Sequence, residues 1–225
     1  MEQRNLTVIK TLEQEIMDGK LPPGARLPSE EKLCQRFEAS RTLVREAIQQ
    51  LRGRGLIQTL KGSGSYIAGP SLDTLGGAME TYSVLTDDAS YLELMDFRIL
   101  LETECARLAA QHAGEKIIKE IKETIKTMEN TGGDRERFGE ADIAFHLAIA
   151  TGSQHKLYAT VLNSLASRSV KYAQINGGDE ESDQRVIKTH RKIFQAISDG
   201  DASAAALAMK RHLVVSRRHY VDIAT

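Results

Sequence analysis

Four side chains in the second half of this sequence combine metal-ligand chemistry with helical spacing: Asp142, His146, His190 and His212. In "ADIAFHLAI", Asp142 and His146 stand at i and i+4, so on a helix they share one face a turn apart. At about 100° per residue, with Asp142 at zero, His146 falls at about 40°, Ile149 at about −20° and Phe145 at about −60°. Two ionisable groups thus occupy the middle of an apolar stripe. In "RVIKTHRKIFQAI", measured from Val186, His190 lies at about 40°, Ile197 at about 20° and Ile193 at about −20°. His212 shares its face with Ala205, Ala208, Met209 and Val215. A buried imidazole or carboxylate needs a partner. Either each of the four finds its own hydrogen bond in a core, or one divalent cation satisfies them together. Imidazole nitrogen and carboxylate oxygen suit zinc first, with nickel, manganese, iron or cobalt also compatible. Four such ligands leave room for water or a ligand.

Arg98 shares a helix face with Leu94, Leu101 and Cys105, so its guanidinium is expected to point inward. Two uses are open and compatible: a bidentate clamp on a small carboxylate, or a salt bridge to Glu102 at i+4. His219 falls near the His212 face two turns on and is a spare. His112 and His155 sit near helix ends, where solvation or capping accounts for them. A metal-dependent hydrolase or lyase built on the same four ligands is an alternative. It would need a further convergent general base, and none stands out. A protein that senses the metal itself is the other alternative.

Elements must position these groups. The chain has 225 residues, enough for one large domain or two modest ones, and 41% of them are apolar. The net charge of −1 is unevenly spread. Residues 1–69 hold 11 Lys/Arg against 8 Asp/Glu, and the remainder 19 against 23. The densest basic run has Arg36, Arg41, Arg45, Arg52, Arg54 and Lys61 against Glu38 and Glu46. A basic N-terminal third is compatible with a polyanionic partner. Cys34 and Cys105 form no CxxC pattern and no disulfide framework, which suits a reducing cytosol. No apolar signal core and no membrane-length run is present, so a soluble cytoplasmic protein is expected.

The N-terminal pattern is helix, helix, helix, hairpin. "NLTVIKTLEQEIMDG" places Leu6, Ile9, Leu12 and Ile16 at helical spacing. "KLPPGARLP" is a rigid connector. Ser29 caps a short helix with Leu33 and Phe37 inward, "EAS" turns, and Ser40 caps a third helix. That helix turns Leu43, Val44, Ala47, Ile48 and Leu51 to a core and stops at Gly55. "LIQTLKGSGSYIAG" alternates around a Gly-Ser-Gly tip as a hairpin. The expected fold is mainly α: a winged helix-turn-helix over 1–69, a partly helical linker over 70–90 weakened by Gly76-Gly77, and an all-α bundle over 91–225. Its helices are expected at Tyr91–Ala113, Glu115–Asn130, Arg135–Thr151, Gln154–Ile175, Glu180–Asp199 and Ala202–Val221. A module of this kind inserts the N-terminal end of its second paired helix into the major groove. Arg41, Thr42 and Arg45 occupy that end, Ser40 can donate to a phosphate, and Lys61 and Gly62 lie at the wing tip.

The stretch "GARLPSEEKLCQRFEASRTLVREAIQQLRGRGLIQTLKGSGSYI" resembles the DNA-binding domain of the GntR family of bacterial repressors. The shared features are the PG..LPSE start, the SR..VREA recognition helix, the GL turn and the G.G wing. The resemblance implies that Arg41 and Arg45 contact double-stranded DNA, with Ser40, Thr42, Lys61 and Gly62 assisting. A homodimer would read an inverted-repeat operator. Glu31 departs from the family, where many relatives carry a basic residue. "DFRILLETECARLAA" and "ADIAFHLAIATGS" resemble the FCD effector domain of the FadR subfamily. This implies that Asp142, His146, His190 and His212 are metal ligands beside a cavity for a small organic acid. Ser153 departs where many relatives have Asn. The expectation is a ligand-responsive transcription regulator, a repressor rather than an enzyme.

Overall fold

The structure is a computed structural model and describes residues 2–69, 71–85, 89–166, 169 and 180–224. The chain separates into two compact units, Met1–Thr74 and Leu75–Thr225. Each has its own hydrophobic core.

The first unit contains α1 (Glu2–Met17), α2 (Glu30–Phe37), α3 (Arg41–Gly53), β1 (Ile57–Leu60) and β2 (Gly64–Ile67). Ser29 caps α2 by accepting from Lys32 N at 3.3 Å, and Ser40 caps α3 by accepting from Leu43 N at 3.3 Å. The turn between them runs through Glu38, a left-handed residue with φ 49°. Leu12, Leu33, Val44, Leu51, Ile57 and Ile67 close the core. Phe37 and Ile48 pack at its margin. The chain leaves α3 through Gly55, at φ +74°, a conformation that disfavours any side chain. The strands pair antiparallel in the register Ile57↔Ile67 and Leu60↔Gly64, with Lys61, Gly62 and Ser63 at the tip. An isolated bridge from Arg26 to Tyr66 ties the proline-rich connector to this wing.

The second unit is helical throughout its described residues: α4 (Leu72–Leu85, whose first turn belongs to the first unit), α5 (Ala89–His112), α6 (Glu115–Glu129), α7 (Arg135–Gly152), α8 (Lys156–Ser164), α9 (Glu180–Ser198) and α10 (Ala202–Ala224). Helix α5 packs along α10 and α7, α6 against α7, and α9 against α5, α6 and α10. Phe145, Ile149, Ile121, Met128, Ile193 and Met209 fill the centre. Helix α6, which opens with "EKIIKEIKETIK", is charged outward and turns Ile121, Ile125 and Met128 inward.

Three expectations need correction. Helix α4 runs straight through Gly76-Gly77. A Cβ on Gly76 would lie 3.3 Å from Thr160 Cγ2, so the missing side chain lets α4 approach α8 closely. Ser83 Oγ also donates to Ser164 O at 3.5 Å. Tertiary packing here outweighs the poor intrinsic propensity of glycine. Helix α8 cannot begin at Gln154, which is left-handed at φ 57° and bonds His112 O through Nε2 at 2.6 Å. His155 is its N-cap, accepting from Tyr158 N at 3.4 Å. The C-terminal part of the expected Gln154–Ile175 helix and the Gly177-Gly178 break lie outside the described residues, save Ala166 and Ser169. Finally, Val215 was expected on the buried face of His212 but is 64% exposed.

Candidate metal centre

Helix α7 carries Asp142 and His146, α9 carries His190 and α10 carries His212. The structure brings all four together. Each offers one donor atom, and these atoms lie within 4.8 Å of one another. His190 Nε2 stands 3.3 Å from His212 Nε2 and 3.4 Å from Asp142 Oδ1. The three imidazoles are buried and Asp142 is partly exposed.

Each histidine is held differently. His212 Nδ1 lies 3.0 Å from Thr189 Oγ1, which leaves Nε2 toward the cluster. His190 stacks on the Phe145 ring, with centroids 4.1 Å apart and planes 16° apart. Its Nδ1 has no hydrogen-bond partner among the described residues. His146 Nδ1 lies in close contact with Glu102 Oε2 on α5. This is an ion-pair approach of poor hydrogen-bond alignment, and neither atom has another partner among the described residues. The other carboxylate oxygen, Oε1, accepts from Arg98 Nε at 2.6 Å.

The electrostatics favour ligation. Burial, and then the neighbouring His212 and His146, push the His190 pKa well below its ordinary value. Burial, reinforced by His146, lowers His212 to about 3 against the opposing pull of Glu102. Both rings are therefore neutral at pH 7, with lone pairs available. Burial raises the Asp142 pKa, which favours a positive neighbour for this carboxylate. Burial alone would raise Glu102 as well, but Arg98 and His146 outweigh it and bring it to about 2. Neutral imidazoles and one carboxylate whose donor atoms converge suit a divalent transition metal. Asp142, His146, His190 and His212 would hold it, and a bound ion would attract a carboxylate as a Lewis acid. The cysteines take no part: burial pushes Cys105 up to about 12, and Cys34 belongs to the first unit.

A cavity of about 210 Å³ adjoins the cluster. Asp142, His212, Thr189 and Arg98 line it, together with apolar side chains such as Met95 and Val215. Arg98 is 6% exposed, pairs with Glu102 as the i+4 spacing allows, and also lines the cavity. His219 lies on the same wall outside the four-residue cluster, and His112 is exposed at the end of α5. In the sequence Glu102 reads only as a counter-ion for Arg98, and Thr189 does not stand out. The signal for Thr189 was its place next to His190. For Glu102 no sequence signal ties α5 to α7. Ser153 is buried at the end of α7, where its hydroxyl donates to Ala150 O at 2.6 Å and accepts from His155 N at 3.2 Å.

In the first unit Ser40, Arg41, Thr42, Arg45, Lys61 and Gly62 are all exposed. Arg45 Nε donates to Glu30 Oε2 at 2.7 Å. Arg36 and Arg54 pair instead with Glu15 and Glu13 of α1. Arg41 and Lys61 carry no ion pair among the described residues, and Glu31 is exposed in the first turn of α2.

Comparison with known proteins identifies both units. Residues 5–67 match the model of the bacterial regulatory proteins of the gntR family, and residues 93–214, more than half of the chain, match the FCD domain. The HTH-type transcriptional regulator LutR of Bacillus subtilis (strain 168) is 31% identical over 88% of this chain and 92% of its own. The galactonate operon transcriptional repressor of Escherichia coli (strain K12) is 28% identical over 96% of each chain. The solved structure of a GntR protein from Streptococcus agalactiae is 27% identical, with a TM-score of 0.59 over 95% of this chain and 99% of that one. These relatives are transcription regulators, not enzymes. Among the described residues no helix is long and apolar enough to cross a membrane. The chain belongs to the gntR family of bacterial regulatory proteins, as a DNA-binding transcription regulator with a C-terminal FCD effector domain.

Proposed function

We propose that this chain is a homodimeric, cytoplasmic repressor whose operator affinity responds to a small organic acid bound beside a divalent metal, zinc in the first instance. Residues 1–69 form the DNA-binding domain, 70–90 the connector and 91–225 the metal and effector domain. One observation carries the reading: three buried imidazoles and a carboxylate converge within 4.8 Å beside a 210 Å³ cavity that Arg98 also lines. Four polar groups on core faces are otherwise costly. The acid's carboxylate would meet Arg98 and the metal, with its remainder against apolar side chains of the lining such as Val215. Ser40, Arg41, Thr42 and Arg45 at the exposed start of α3, with Lys61 and Gly62 on the wing, support major-groove reading by two symmetric copies.

The test is operator affinity, by fluorescence anisotropy, of the zinc-loaded protein across a panel of small carboxylic acids. The reading expects one acid to weaken operator binding by about 5- to 150-fold, and operator to weaken acid binding by the same factor. It expects Asp142→Ala to abolish the response. Unchanged affinity across the panel would contradict the acid response. A response to chelation alone would point to the metal as the signal.

A further inference from the structure

We infer that Glu102 is a positioning residue for His146: one carboxylate oxygen holds the imidazole by Nδ1, so that Nε2 is presented to the other three donors. The inference rests on the metal reading above. Glu102 lies on α5, which contributes no metal ligand, and is 1% exposed. Its oxygens are divided. Oε1 accepts from Arg98 Nε at 2.6 Å, and Oε2 lies against His146 Nδ1. A carboxylate present only to neutralise Arg98 could use both oxygens on the guanidinium fork. Here Oε2 accepts no hydrogen bond from Arg98. It is turned toward the ring instead.

The neighbouring ligand shows the same logic in another chemistry. Thr189 Oγ1 holds His212 by Nδ1, the nitrogen remote from the cluster. An imidazole has two nitrogens, and fixing one decides which can bind an ion. An anionic partner such as Glu102 also makes the opposite nitrogen a stronger donor, which a hydroxyl does less well. Arg98 locks the carboxylate, the carboxylate locks the ring, and the whole relay is shielded from water.

The test compares zinc affinity, by competition with a chromophoric chelator, in wild type, Glu102→Gln and the double variant Arg98→Met/Glu102→Gln. Removal of an outer-shell partner costs about 10- to 100-fold in metal affinity. The single variant should show that loss. The double variant, which removes both buried charges and so should fold, should keep a loss of at least about tenfold. Wild-type affinity in the double variant would make Glu102 a mere counter-ion and overturn the inference. A second readout needs no Glu102 variant. In ¹⁵N-histidine spectra at pH 8, with the signal assigned by its loss in His146→Asn, His146 should carry its proton on Nδ1 with or without zinc. A proton on Nε2 in the zinc-free protein overturns the inference. Absence of zinc uptake by wild type would sink the metal reading, while the tautomer would still decide the Glu102 contact.

Discussion

Substituting His190 by alanine removes the donor that stands within 3.5 Å of both Asp142 and His212. Zinc affinity should fall by roughly a hundredfold or more, measured by chelator competition, because the remaining donors lose their central member. An unchanged affinity would place the ion elsewhere. Acid should act on the metal-free protein through the same rings. The folded-state pKa of His212 is about 3 against an ordinary 6.5, and His190 shifts the same way. Between those values the unfolded chain binds more protons than the folded one, so stability rises with pH. Melting temperature in chelator should therefore be level above about pH 7 and fall as pH drops from about 6.5 toward 3. Glu102, at about 2 against 4.5, adds a further loss below about pH 4.5. A melting temperature that climbs on acidification would contradict the buried neutral rings. At this scale the sequence was informative where one helix supplies two groups. The i, i+4 spacing of Asp142 and His146 is visible in the bare string. The roles of Glu102 and Thr189 were not, because each acts on a residue of a different helix, and no periodicity reports contacts between helices.

Among the elements, α3 and the hairpin depend on a turn that only glycine fits well. Gly55 is at φ +74°, and an added Cβ would meet Thr74 Oγ1 at 2.5 Å. Gly55→Ala should destabilise the first unit by about 1–2 kcal/mol or more, read from its urea midpoint. The second unit's melting should be unaffected. An unshifted midpoint would mean that the turn relaxes freely. The caps Ser29 and Ser40, the stop at Gly55 and the wing tip were all legible, since each is local chemistry of a few consecutive residues. Helix α4 was not. Its glycine pair weakens a helix in isolation, and packing against α8, at Thr160 and Ser164, offsets that loss. The start of α8 was misplaced for a similar reason: Gln154 is fixed by a bond to the distant carbonyl of His112.

For the whole molecule, charge has to be sorted by what it touches. The basic run from Arg36 to Lys61 suggested a polyanion partner, yet Arg36 and Arg54 are tied to glutamates of α1. Arg41 is exposed and carries no ion pair among the described residues. Arg41→Ala should weaken operator binding and lower the slope of log affinity against log salt by about one. Arg54→Ala should leave both within about twofold. Equal losses in the two variants would mean that the DNA-facing surface has been assigned wrongly. Sequence motifs sufficed for the family and the two-part plan, because both rest on residues close together in the chain. The convergence of α7, α9 and α10 on one point is a property of the packed bundle.

If the convergence of α7, α9 and α10 holds a metal ion, each chain should carry one. The most direct measurement is metal content per chain, by inductively coupled plasma mass spectrometry, after zinc loading and exhaustive dialysis. Close to one divalent ion per wild-type chain is expected, with a near-complete loss in Asp142→Ala/His190→Ala. Wild-type protein that retains no ion, or a double variant that retains as much as wild type, would contradict it.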